Sequence, residues 1–146
     1  MTRFATVFTA GALCLATFAA AHTGVKNPAV VARMDAMKAT QDGVKVLGAM
    51  VKGERSFDAA AARAAAAEIA AEAARTPDLF KAQETDPNSE ALPVIWEDFA
   101  DFTAKSKDLE RVALALSASL ETEDQLRAGL GQIGAACKAC HEVYRE

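Results

Sequence analysis

From Ile95 onward the apolar and small residues fall in steps of four and three: Ile95, Phe99, Phe102, Ser106, Leu109, Ala113, Leu116 and Leu120. Side chains that return to one face about every 3.6 residues define a helix with a single buried seam. Such a seam is satisfied only by packing against other helices. The same rhythm runs through Val30, Met34, Met37, Gln41, Val44, Gly48 and Val51, and through Leu126, Leu130, Ile133, Cys137, Cys140 and Tyr144. No stretch after residue 21 alternates in the manner of a strand, so a sheet has nothing to build from.

Local signals divide this pattern into four helices. Asn27-Pro28 is a cap followed by a first-turn proline, and Gly53 ends the first helix. A second helix starts near Ser56 to Asp58 and runs through an alanine-rich stretch to Arg75, where Thr76-Pro77 stops it. The segment from Thr76 to Leu92, with Pro77, Asp86, Asn88 and Ser89, has the chemistry of a loop. The third helix opens at Pro93-Val94-Ile95-Trp96. The fourth opens at Thr122-Glu123-Asp124-Gln125, a capping box. A coiled-coil rod would need longer unbroken helices, so the expected fold is all-α, an antiparallel up-down four-helix bundle.

At 146 residues the chain has the size of one domain with one core. Its net charge of −4, with no basic block, lacks the electrostatic footprint of a nucleic-acid binder. Residues 1–21 read as a cleaved signal peptide: Arg3, an uncharged stretch from Phe4, and Ala19-Ala20-Ala21 as a small-residue cleavage site. The apolar part is short for a membrane span and lacks basic stop-transfer residues. Lipid attachment at Cys14 is disfavoured because Leu13, rather than a small residue, precedes it. The expected mature chain, residues 22–146, is a periplasmic protein without a stable membrane anchor. It starts at His22, read as an unstructured terminal residue, and keeps only Cys137 and Cys140.

Those two cysteines belong to Cys137-Lys138-Ala139-Cys140-His141, the C-x-x-C-H pattern of covalent haem attachment. Residues three apart share a helix face, so both sulfurs can reach the two vinyl groups of one porphyrin while His141 offers its imidazole to the iron. A disulfide between them would close almost no loop. A thioredoxin-like site would open a helix in an α/β pattern rather than close an all-helical chain. Zinc would lack a fourth ligand other than His22 or a carboxylate. Haem c is therefore the expected cofactor, lying between the helices because both cysteines are on the stripe. Gly48, Gly134, Ala135 and Ala136 are small enough to leave it room, and equally suited to close helix packing.

With these features the chain resembles the class II cytochromes c, the cytochrome c′ family, four-helix bundles that bind haem near the C-terminus. The resemblance rests on Cys137-Lys138-Ala139-Cys140-His141-Glu142-Val143-Tyr144-Arg145, on Pro93-Val94-Ile95-Trp96 and on the Lys52-Gly53 to Phe57-Asp58 connection. The stretch from Val46 to Glu54 resembles the low-spin cytochrome c-556 type, in which a methionine of helix one takes the sixth iron position. Counting back from it implies Met37 as that ligand, with Met34 in reserve; methionine is also an ordinary core filler. The resemblance further implies a propionate contact for Arg33 and a place near His141 for Arg145. It implies as well that a homodimer through helices one and two is open to the chain.

An iron held by imidazole and thioether has no site for substrate, and the methionine raises the potential. The expected function is that of an electron carrier meeting redox partner proteins, with no enzymatic activity. The rival is a five-coordinate cytochrome c′ that binds nitric oxide or carbon monoxide on the Met37 side, as sensor or scavenger. A peroxidase would need a distal histidine or arginine arrangement that is not evident.

Overall fold

A computed structural model describes residues 24–146, and the expected signal peptide lies outside them. The described residues form α1 (Pro28–Val51), α2 (Ala59–Leu79), a single turn α3 (Val94–Glu97), α4 (Phe99–Ser119) and α5 (Glu123–Tyr144). The four long helices make the expected bundle, with α2 packed most extensively on α4 and α1, and α4 on α5. Helices α1 and α5 meet over less of their length.

Caps act where the sequence places them. The Asn27 side chain accepts from the amides of Ala29 and Val30. Thr122 and Gln125 form the reciprocal capping box of α5. Gly53, at φ 74°, takes the left-handed turn that ends α1, a conformation open to glycine without strain.

Two boundaries differ from expectation. Helix α2 continues through Thr76-Pro77 to Leu79. A proline there has no N–H for the carbonyl four residues back, that of Ala73. The Ser106 hydroxyl on α4 donates to the Ala73 oxygen at 2.8 Å in its place. Ser106→Ala is therefore expected to destabilise the protein by about 1–3 kcal/mol, the range for a buried acceptor left unsatisfied. In a Pro77→Ala background the restored N–H should remove most of that loss, which denaturant unfolding of the single and double variants will measure.

The predicted third helix is broken at Asp98. That residue leaves helical conformation at φ −127°, ψ 59°, and its carboxylate accepts from the Asp101 amide. Aspartate competes with the backbone for such hydrogen bonds and so favours caps over helix interiors. The stripe nevertheless crosses the break, with Ile95, Phe102, Ser106, Ala113, Leu116 and Leu120 buried and Phe99 and Leu109 half-buried.

In α1 the buried face is one position out of register with the predicted stripe. It comprises Val30, Arg33, Ala36, Thr40, Gly43, Leu47 and Met50. The close-packed glycines are correspondingly Gly43, where a Cβ would meet Ile69 Cγ1 at 2.8 Å, and Gly129 against Leu116. Gly48 and Gly134 have open space beside them. The core is divided in two. Leu47, Met50, Ile69, Ala113, Leu116, Leu120, Leu126 and Ile133 form one cluster, with Cys137 at its edge. Phe80, Ile95, Phe102 and Tyr144 form the other, with Trp96, Phe99 and Cys140 against it.

Candidate functional site

A cavity of about 670 Å³ includes on its walls both half-buried thiols, Cys137 and Cys140, each at the margin of a different core cluster. Its walls come from all five helices and the α2–α3 connection. The predicted α1 stripe finds its place here: Met34, Met37, Gln41 and Val44 line the cavity, Val44 also touching the first core cluster. Met37 is 38% exposed on that wall. Early α1 thus faces late α5 across the space, and Met37 and His141 share its lining although 104 positions separate them. Of the small residues singled out in α5, only Ala136 is part of that lining; Gly134 and Ala135 are exposed.

Burial raises the Cys137 thiol above its ordinary pKa and pushes that of Cys140 up to about 11. Both are free thiols. A thiol-disulfide catalyst depends on the opposite shift, toward thiolate, so these cysteines are unsuited to that chemistry. Burial, and then the Arg145 cation, hold His141 below the ordinary histidine value, with Glu90 opposing. The imidazole is therefore neutral at neutral pH, the form in which it ligates a metal.

The cavity floor is aromatic. Phe102 packs edge-on against Tyr144 with centroids 5.4 Å apart and meets Phe80 at 5.0 Å. The Tyr144 hydroxyl donates to the Asp101 carboxylate at 2.7 Å. Burial and that hydrogen bond raise the phenol above its ordinary range. These contacts pin the end of α5 to the start of α4, one turn beyond His141.

Sequence reasoning missed the wall made by Asn88, Ser89, Glu90 and Ala91. This segment is laced to the C-terminus: the Leu92 amide donates to the Tyr144 carbonyl, the Glu146 amide to that of Glu90, and Arg145 Nε to the Glu90 carboxylate at 2.6 Å. Nothing in the sequence relates residues 90 and 145, whose pairing exists only once the bundle closes.

Arg33 also borders the cavity, but its head is engaged with the α2–α3 connection. Nε donates to the Leu79 carbonyl at 3.0 Å, one terminal nitrogen to Glu84 O at 2.7 Å and the other to Ala82 O at 2.6 Å. Burial lowers its pKa. Three of the five N–H groups of a guanidinium are thereby committed, and a propionate contact would fall to the other two.

The donor set fits a haem. Two free thiols share a helix face, a neutral imidazole stands beside them, and the cavity falls in the size range of cofactor pockets, about 300–1,000 Å³. Among the described residues no helix is long and apolar enough to cross a membrane.

Comparison with known proteins agrees. The pattern of the family described as cytochrome C′ matches residues 28–145. Cytochrome c′ of Rhodopseudomonas palustris is 35% identical over 145 residues, covering 98% of this chain and 95% of the relative. Cytochrome c-556 of Agrobacterium fabrum is 39% identical over 110 residues, 75% of each protein. The solved structure of cytochrome c′ from Rhodopseudomonas palustris superposes with a TM-score of 0.77 at 33% identity, covering 83% of this chain and 98% of that one. Likeness of this extent in both sequence and fold places the chain in the cytochrome c′ family, whose haem c it binds covalently.

Proposed function

We propose that this protein is an exported electron carrier, its haem joined to Cys137 and Cys140 and its iron held by His141 on one side and Met37 on the other. The observation that supports this reading best is the lining of one cavity by Met37 from early α1 and by the C-x-x-C-H motif from late α5. Haem supplies reversible one-electron chemistry when bound.

The chain's own contribution is to hold and to shield. The half-buried thiols would fix attachment, and the neutral His141 and the partly exposed Met37 would complete the ligand set. The aromatic floor and the strap at residues 88–91 wall the cavity on the α5 side, while His141 itself stays exposed at its margin. With both a thioether and an imidazole as its ligands the iron would favour the reduced state and offer no position to substrate, so no acid, base or nucleophile would be required. Redox partner proteins would meet this acidic carrier through basic patches, in weak and salt-sensitive encounters. Export by residues 1–21 places it in the periplasm.

The first test is the optical spectrum of the holoprotein, oxidised and reduced, with and without carbon monoxide. A low-spin spectrum with a methionine-to-iron charge-transfer band and little response to carbon monoxide is expected. A high-spin spectrum that carbon monoxide changes readily would replace this reading with gas binding on the Met37 side.

A further inference from the structure

The first turns of α1, which carry Met34 and Met37, face a cavity rather than a packed neighbour on the α5 side. Besides their packing on α2, they are held by the connection that follows it. The Lys26 and Asn27 amides donate to the Asp86 carboxylate at 2.9 and 3.2 Å. The Asn27 side chain donates to the Glu84 carboxylate at 2.8 Å. Deeper in, Arg33 bridges the Leu79, Ala82 and Glu84 carbonyls, with its guanidinium 4.5 Å from the Phe80 ring centroid and 5.4 Å from that of Trp96. Trp96 Nε1 in turn donates to the Phe80 carbonyl at 2.7 Å. Arg33 is 3% exposed, the most buried cation of the described residues and one helical turn before Met37.

We infer that Arg33 is a positioning residue for the distal iron ligand: it locks the start of α1 to residues 79–84 and so holds Met37 at its place on the cavity wall. The inference rests on the assignment of Met37 proposed above. The three acceptors point from different places in the connection, and only a planar fork with separate N–H vectors reaches all of them. A lysine keeps the charge but is a point donor on a flexible stem. Leu79 is also the last residue of α2, where a cation meets unpaired carbonyls and the negative end of the helix dipole. The lock therefore ties α1 to the end of α2, and slack in it passes directly to Met37 four residues on.

The test uses holoprotein of the wild type, Arg33→Lys, Arg33→Met and, as a control, Thr122→Ala, which loosens a cap at the opposite end of α5. The readouts are the methionine-to-iron band, carbon monoxide affinity and the unfolding midpoint. In Arg33→Lys the band should weaken and carbon monoxide affinity rise about tenfold, as a larger share of molecules has Met37 released. Arg33→Met should show a larger change, and Thr122→Ala a lowered midpoint with the wild-type spectrum and affinity. A wild-type spectrum and affinity in Arg33→Lys, whatever its midpoint, overturn the inference while leaving the Met37 assignment intact. Arg33→Lys decides alone should Arg33→Met not fold. A wild type that is itself high-spin removes the assignment and the inference together, before any variant is compared.

Discussion

Replacing Met37 with alanine is expected to open the sixth iron position and raise carbon monoxide affinity about a hundredfold or more. A ligand that competes with an internal group binds with its intrinsic affinity reduced by the fraction of molecules in which that group is released; a thioether bound in all but about one molecule in a hundred imposes that factor. The fold should survive the change. Met37 is 38% exposed on the cavity wall, and α1 packs through Val30, Ala36, Thr40, Gly43, Leu47 and Met50 instead. Titration with carbon monoxide, beside circular dichroism of the same samples, separates ligand loss from unfolding. An unchanged spectrum in Met37→Ala would disprove its role as ligand. A band lost in Met34→Ala instead would move the ligand one turn toward the start of α1, to a residue that lines the same cavity.

The second large effect concerns the fold itself. A Cys137→Ala/Cys140→Ala double variant that retains no haem should keep much of its helix content and lose its fixed tertiary packing. A half-open cavity of about 670 Å³ is bordered by the second core cluster and by Val44, Leu109 and Cys137 at the margin of the first. Without the haem this half-open space fills with water, and apolar side chains on its wall that the haem would cover, Met34, Met37, Val44 and Leu109 among them, forgo about 25 cal/mol for each Å² left exposed. Net stabilities of domains are only about 5–15 kcal/mol. The aromatic cluster of Phe80, Phe102 and Tyr144 borders the void and should loosen first. Alanine-rich α2 should persist longest on propensity. Near-ultraviolet circular dichroism should therefore collapse while the far-ultraviolet signal falls only in part, the signature of a molten globule. Cooperative unfolding at the holoprotein's midpoint would contradict this account and show that the bundle stands without its cofactor.

Much of this protein is determined locally. Four long helices, their caps at Asn27 and Thr122, and the common face of Cys137 and Cys140 each depend on residues within a turn or two, and all are legible in the sequence. The C-x-x-C-H motif carries its chemistry in five consecutive positions. The decisions that required tertiary structure are those in which a distant group supplies what the local chain lacks. Helix α2 passes Pro77 because a hydroxyl from α4 takes the freed carbonyl, so a local stop signal is overridden.

The α1 stripe was legible as a stripe, but periodicity cannot distinguish a face that meets protein from a face that meets a cavity. Both are apolar, and only the packing of α1 on α2 chose between them. Arg33 shows the same limit. In sequence it is a cation one turn before a methionine, and its role depends on three carbonyls 46 to 51 positions away. Backbone carbonyls are present in every residue and leave no mark on the sequence, so contacts made to them become visible only when the fold brings the partners together.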